Sequence, residues 1–291
     1  MFRILLPVDF SEGSTKASQY ALQLAAGVPG AKLLLLHCFQ DYLADANPVP
    51  SSAATLNPSE QLAERVLHRN ETEALEQLEA LYEELMQKAR SMDSTLHIER
   101  TLVHGLPEEE IPEQAEHFRP SLVIMSTKGE ASIGRAVFGT VSTKVIDEAR
   151  VPVLTIPNQF NGIIPGRILY ATDFGKTDVA DIDRIRKIFG HLDPMIYCVH
   201  ISDDPEEDRE KLLVLQQDLQ HGAPENDIRY ALLEGEDVAE ALQDFARSET
   251  IDLLALTTQE RGTFDSLFNP SLAKKMVLHA PLPVLVFQSK V

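Results

Sequence analysis

Residues 3–10, Arg3-Ile4-Leu5-Leu6-Pro7-Val8-Asp9-Phe10, return later in the chain as Arg167-Ile168-Leu169-Tyr170-Ala171-Thr172-Asp173-Phe174. Each copy is a short apolar run closing on an aspartate. Moving outward, Leu34-Leu35-Leu36-His37 answers Tyr197-Cys198-Val199-His200, and Leu122-Val123-Ile124-Met125 answers Leu253-Leu254-Ala255-Leu256. The ends match as well: Val151-Pro152-Val153-Leu154-Thr155-Ile156 against Leu282-Pro283-Val284-Leu285-Val286-Phe287. The copies are offset by 164 at the first run, 163 at the histidines and 131 from the fourth run onward, so the first copy carries roughly thirty extra residues between its second and third runs. Ordered agreement of this kind marks a duplication.

The runs are four to seven residues long, continuous rather than alternating, and rich in Val, Ile and Leu. Strands buried on both faces of a parallel sheet have this composition. Amphipathic segments lie between them, such as Ser14 to Ala26 with Ala17, Tyr20, Ala21, Leu24 and Ala25 at helical spacing. The fold class predicted is α/β: two tandem doubly wound domains, each a five-stranded parallel sheet flanked by helices. The domains expected are 1–157 and 167–291, joined by a Pro-, Gly- and Asn-rich linker, 158–166. The fifth runs, Val153 to Ile156 and Val284 to Phe287, would leave apolar edges if each domain stood alone, and are expected to pair in an intramolecular pseudo-dimer. The extra segment of the first copy divides into a loop, Asp41 to Pro58, and a long helical pattern, Glu60 to Arg90, with Leu75, Leu78, Leu81 and Leu85. That helix is either a partner-binding or dimerising arm or an elongated surface helix packed on its own domain.

The chain of 291 residues has a net charge of −19, with 13 basic and 22 acidic residues in 1–158 and 13 and 23 in 159–291. Neither half carries a basic block, so nucleic acid is not an expected partner. No apolar run reaches the ~18–20 residues that span a bilayer, and the start of the chain lacks a signal-peptide pattern, which predicts a cytoplasmic protein and no membrane partner. The two cysteines, Cys38 and Cys198, sit inside apolar runs, and no Cys/His spacing fits a metal site.

Open parallel sheets bind ligands beyond the carboxyl ends of their strands, where strand order reverses. In the first copy this region receives Pro7-Val8-Asp9, the His37-Cys38 end of the second strand, and the loop from Ser126 to Ser142. Gly129 admits close backbone approach. Gly139-Thr140 opens the next helix, whose free N–H groups favour an anion. The loop suits a phosphate. It is not a P-loop, since Gly129-x4-Gly134 is followed by Arg135-Ala136 and comes after the fourth strand. No GxGxxG or GxSxG motif is present.

At this point the sequence resembles a tandem universal stress protein. ATP-binding members of that family carry Gly-x2-Gly-x9-Gly-Ser/Thr after the fourth strand and an aspartate ending the first; here Ser126-x2-Gly129-x9-Gly139-Thr140 matches with serine for the first glycine. The resemblance implies a Rossmann-like fold of the adenine nucleotide alpha hydrolase-like type, and ATP or AMP as ligand, with or without Mg2+. It further implies that Pro7, Val8, Asp9 and Cys38 line the adenosine end, while Met125, Ser126, Lys128, Gly129, Gly139, Thr140, Val141 and Ser142 hold ribose and phosphates. The second copy departs from the pattern as Thr257-x2-Glu260-x9-Pro270-Ser271, where a carboxylate and a proline replace the glycines.

The function expected is therefore a stress-response binder of an adenine nucleotide in the first domain, acting on regulatory protein partners, with a further homodimer open. The alternatives are an interaction protein with vestigial sites, favoured by Ser126, and a slow ATPase. No catalytic set and no metal ligands are assigned. Asp9 and Asp173 either contact ribose or a metal-bound phosphate or cap the turn into the following helix. His37 and His200 are expected to be hydrogen-bonded structural residues, since each lacks co-ligands. His104 is expected on loop surface before the third helix. Lys128 is either a phosphate contact or a solvated lysine.

Overall fold

The computed structural model describes residues 1–39, 58–92, 94–127, 140–160, 164–220, 227–235, 237–259 and 270–289. The first half runs β1 (Arg3–Pro7), α1 (Glu12–Ala26), β2 (Lys32–Phe39), α2 (Pro58–Ser91), β3 (His97–His104), α3 (Pro107–Phe118), β4 (Leu122–Ser126), α4 (Thr140–Glu148) and β5 (Val153–Ile156). The second runs β6 (Arg167–Ala171), α5 (Asp178–Phe189), β7 (Met195–Ser202), α6 (Pro205–Gln220), β8 (Ile228–Glu234), α7 (Val238–Ser248), β9 (Leu253–Gln259), α8 (Pro270–His279) and β10 (Val284–Ser289). This is the α/β alternation that the apolar runs predict.

The ten strands of the described residues lie in one sheet, ordered β3-β2-β1-β4-β5-β10-β9-β6-β7-β8. Within each half every pairing is parallel; β5 and β10 join antiparallel, with Leu154 opposite Leu285 and Val153 opposite Val286. The Thr155 hydroxyl adds a bond to the Val284 carbonyl at 3.2 Å. The expected pairing of the fifth strands is thus the seam of the molecule. The outer edges fall to β3 and β8, where His97, Glu99, Arg229 and Glu234 supply polar, partly exposed side chains that discourage further strand addition.

Because successive side chains alternate across a strand, the sheet buries two layers. Ile4, Leu6, Leu33, Leu35, Ile168, Tyr170, Leu285 and Phe287 face α1, α2, α5 and α6, while Leu5, Leu36, Val123, Val153, Leu169, Val199 and Val286 face α3, α4, α7 and α8. Both layers cross the seam. On the first face, His191 of the second half reaches the Leu24 carbonyl at the end of α1, 3.0 Å away. Gly27 permits this approach, since a Cβ there would lie 2.9 Å from the His191 ring. Phe160, after β5, packs on Tyr20 of α1 at 5.9 Å.

The long helix α2 lies on its own half. Ala74, Leu78, Leu85 and Ala89 are buried at helical spacing, whereas Leu75 is exposed. Arg100 of β3 pairs with Glu79 and stacks on the Tyr82 ring, 4.1 Å from its centroid. His104 ends β3 rather than sitting in the following loop, and its Nε2 meets Glu71 of α2 at 3.2 Å. The strand extends that far because Val103 and His104 stay in register with Cys38 and Phe39.

The seam carries a stability prediction. Leu154 and Leu285 are fully buried partners. Truncating either to alanine should cost about 2–5 kcal/mol by urea unfolding. The double variant should depart from additivity by about 0.5–1 kcal/mol, as cross-strand neighbours do. Additive values would show that the two leucines do not act as a pair.

Candidate functional site

Strand order reverses at β1, which lies between β2 and β4, and the crevice of an open sheet lies above such a reversal. Pro7, Val8 and Asp9 stand at its centre. The Val8 amide still donates to the Leu36 carbonyl at 2.8 Å, so the chain leaves the sheet only at Asp9. Asp9 Oδ1 accepts from the Ser11 amide at 3.1 Å and the Ser11 hydroxyl at 2.6 Å, and Ser11 Oγ then accepts from the Ser14 amide as the N-cap of α1. Of the two roles open to Asp9, turn capping is present in the structure.

His37 closes the floor beside β1. Its Nδ1 lies 2.8 Å from the Val8 carbonyl, so that nitrogen carries the proton, and its ring packs on Phe10 at 4.5 Å. Phe10 takes φ 61°, a left-handed conformation unusual for an aromatic residue. The second half repeats this unit. His200 Nδ1 lies 2.7 Å from the Thr172 carbonyl, its ring packs on Phe174 at 4.2 Å, and Phe174 has φ 58°. Both histidines are structural, as the sequence implied. The strained aromatic at the βα turn was not anticipated, although the repeated Asp-Phe pair was its trace.

The other predicted residues divide by burial. Cys38 is half-buried on β2, and burial, with Glu110 and then Glu108 nearby, pushes its thiol up to about 12, so it remains protonated and forms wall rather than nucleophile. Met125 is buried in the layer beneath α3 and α4, which leaves its backbone, not its side chain, for the rim. Ser126 ends β4, and Thr127 is buried with its amide donating to the Ile156 carbonyl at 3.2 Å. Across the crevice α4 begins at Thr140, followed by half-buried Val141 and buried Ser142. Lys128, Gly129 and Gly139 lie outside the described residues, as does Glu260. The structure therefore brings Pro7, Val8, Asp9, Cys38, Met125 and Ser126 to adjoining strand ends, with the first turn of α4 opening next to them.

The corresponding crevice of the second half is chemically different. Where the first copy has Leu6, Val8, Ser14, Ala17 and Ser126, the second has Tyr170, Thr172, Asp178, Asp181 and Thr257, all buried. The Tyr170 hydroxyl meets Asp178 Oδ1 at 2.8 Å and Thr257 Oγ1 at 3.1 Å; Thr257 Oγ1 donates to Asp181 Oδ2 at 2.9 Å, and Thr172 donates to Asp178 Oδ2. Burial, opposed by these hydroxyls, raises the Asp178 carboxyl to about 6 and also raises Asp181, and burial opposed by backbone amides raises Asp173. Next to it, Asp208 Oδ2 accepts from Ser202 at 2.7 Å and lies 3.2 Å from His200 Nε2. Burial alone would lift Asp208, but Ser202, Lys211 and His200 outweigh it and hold the carboxyl below its usual range. Sequence reading did not find this network; its signal was the replacement of small or apolar residues by Tyr, Asp and Thr between copies.

An apolar cavity of about 300 Å³ between α7 and α8, lined by Leu242, Ala246, Ile251 and Met276, opens at the amino ends of β9 and β10. It is remote from both crevices. Among the described residues no group of His, Cys, Asp and Glu could hold a metal, and no helix is long and apolar enough to cross a membrane.

Known proteins agree with this architecture. A universal stress protein of Methanocaldococcus jannaschii is 29% identical over 154 residues, 53% of this chain and 81% of that relative. A universal stress protein of Thermus aquaticus is 30% identical over 157 residues, covering 54% of this chain and 99% of that one. A universal stress protein structure from Archaeoglobus fulgidus matches along 99% of this chain and 98% of its own with a TM-score of 0.70 at 18% identity, a likeness of fold. The model of the Universal stress protein family matches twice, at residues 1–157 and 166–288, and the chain belongs to that family.

Proposed function

We propose that residues 1–157 bind one adenine nucleotide, ATP or AMP with or without Mg2+, and that this occupancy regulates the protein's contacts with partner proteins. Residues 158–166 would join that unit to 167–291, which folds alike without sharing the ligand. The observation that carries the reading is the convergence at one crevice of the β1 end, the β4 end and the start of α4, with a glycine-bearing loop of the family's ATP-binding pattern connecting the last two. Helix-start N–H groups and a glycine backbone offer phosphate oxygens donors without a Cβ in the way. Val8 and Cys38 would give an apolar, protonated wall for a base, and Asp9, fixed by Ser11, would meet ribose hydroxyls. Lys128 and Arg135 would be the loop's cations.

The two copies make the reading asymmetric. Glu260 would oppose a polyanion by roughly 4 kcal/mol at ~4 Å and an effective dielectric of ~20. Pro270 removes an N–H worth about 1 kcal/mol. Together these amount to several tenfold steps in affinity. Calorimetric titration of the intact chain should give one ATP or AMP per chain, Gly129→Glu should abolish it, and Glu260→Gly should not create a full second site while Pro270 remains. Two equivalent sites, or binding that survives Gly129→Glu, would refute the assignment.

Turnover should be slow. Phosphoryl transfer needs a positioned nucleophile and a clamp of cations around the moving phosphoryl group, and among the described residues the crevice supplies neither an activated nucleophile nor a base beyond Asp9. Phosphate release measured with saturating ATP and Mg2+ should stay well under the order of 1 s⁻¹ typical of enzymes. Ser126 in place of the family's first glycine favours one rival, an interaction protein with an unused crevice. That rival predicts no nucleotide in heat-released extracts of the purified chain, whereas the binding reading predicts ATP or AMP there.

A further inference from the structure

The buried network of the second half contains one oxygen–oxygen contact more than its hydroxyls can serve. Tyr170–Asp178, Thr172–Asp178, Tyr170–Thr257 and Thr257–Asp181 are all within hydrogen-bonding distance. Each hydroxyl of Tyr170, Thr172 and Thr257 has a single hydrogen to donate. With both carboxylates ionised, those hydrogens go to Asp178, Asp178 and Asp181, and Tyr170 and Thr257 are left facing each other at 3.1 Å with lone pairs only. A buried contact of that kind is unfavourable.

We infer that Asp178 holds a proton that completes this chain and latches the first turn of α5 onto β6 and β9, making the second half an acid-tightened element. With Asp178 protonated, its O–H donates to Tyr170, Tyr170 donates to Thr257, Thr257 donates to Asp181, and Thr172 donates to the other oxygen of Asp178. Every contact then has one hydrogen. Asp181 remains the carboxylate because Arg184 Nη1 lies 3.1 Å from its Oδ1 and the Thr177 hydroxyl also donates to it. Among the described residues Asp178 has no such cation. Facing it are Tyr170 on β6, Asp173 in the βα turn, Asp181 on α5 and the thiol of Cys198 on β7. The nearby basic side chains are directed elsewhere, His200 toward Asp173 and Asp208, and Lys211 of α6 toward Asp208, Glu207 and the Phe174 ring. Losing the proton would set two like charges three residues apart on one helix in a buried layer and break the Tyr170–Thr257 link. The first half, with Leu6, Ser14 and Ala17 at these positions, has no counterpart.

The sign follows from linkage. The unfolded carboxyl has its ordinary value of 3.8 and burial lifts the folded one to about 6, so the folded state binds the proton more tightly. The latch is complete at low pH, and its contribution is lost as pH rises between those values. Urea unfolding of the full chain and of Asp178→Asn, whose amide keeps both a donor and an acceptor, isolates it from all other carboxylates. The wild-type folding constant relative to the variant should fall on the order of 25-fold between about pH 4.5 and pH 7.5, then level off. Should Asp178→Asn not fold, carboxyl-carbon NMR of the aspartate-labelled wild-type chain provides the second readout. One aspartate should titrate near pH 6, and Thr257→Val should move its midpoint. Parallel pH profiles for wild type and Asp178→Asn, or aspartates in the folded chain that all titrate below about pH 5, would overturn the inference.

Discussion

β5 and β10 are each the last strand of a parallel half, and each half alone would end in an unpaired row of N–H and C=O groups flanked by apolar side chains. Pairing them antiparallel satisfies both rows at once. It also fixes how the halves relate, because an antiparallel ladder between equivalent strands places them about a local two-fold axis. The two buried layers then run without a break from Ile4 to Phe287 on one face and from Leu5 to Val286 on the other. Contacts away from the ladder, such as His191 on the end of α1, are possible only because this register brings Gly27 and the second half together.

That constraint decides where chemistry can occur. The strand order places β1 and β6 at the two reversals, so each half opens a crevice at its first strand's carboxyl end, and the βα turn there is built alike in both. Aspartate, a left-handed phenylalanine and a histidine bonded to the strand's exit carbonyl form one unit, found as Asp9-Phe10-His37 and Asp173-Phe174-His200. The histidine clamps the end of the neighbouring strand to the turn, and the phenylalanine covers its ring. The unit is a piece of the fold, retained in both halves whatever ligand each crevice takes.

Most of the fold was legible in the sequence because buried parallel strands require continuous apolar runs, and duplication shows each run twice. Leu33 to Leu36 and Ile196 to Val199 could hardly be anything else. The pairing of the fifth strands was legible for the same reason, as an apolar edge with no other cover. The end of β3 was not: His104 looks like loop because it is polar and adjoins Gly105, and only its ladder to Phe39 keeps it in the strand. The site was half legible. Strand-end residues such as Pro7, Asp9 and Ser126 follow from topology, but the direction of a side chain does not, and Met125 turns into the core. Asp178 and Asp181 escaped notice because acids in the first turns of a helix usually reflect the helix dipole and solvent; nothing local says that these two are buried against Tyr170 and Thr257.

The difference between the copies is most instructive where a single position changes character. Val8 and Thr172 are nearly the same shape and occupy the same place, one residue beyond the first strand. Val8 can only fill space, so the apolar layer continues to the rim of its crevice. Thr172 offers a hydroxyl that accepts from the Phe174 amide at 2.9 Å and donates to Asp178. Once that hydroxyl is buried, a polar partner must be brought in from α5, and Asp178 in turn needs Tyr170 to satisfy its second oxygen. Tyr170 then needs Thr257, and Thr257 needs Asp181. Each substitution relative to the first copy leaves a buried polar atom that the next one answers, so the five positions are intelligible as a set and not singly. A crevice floored by such a set is negatively charged or proton-bound in its layer below the rim, which is poor ground for a phosphate and distinct from the apolar floor that Leu6, Val8 and Ala17 give the first half.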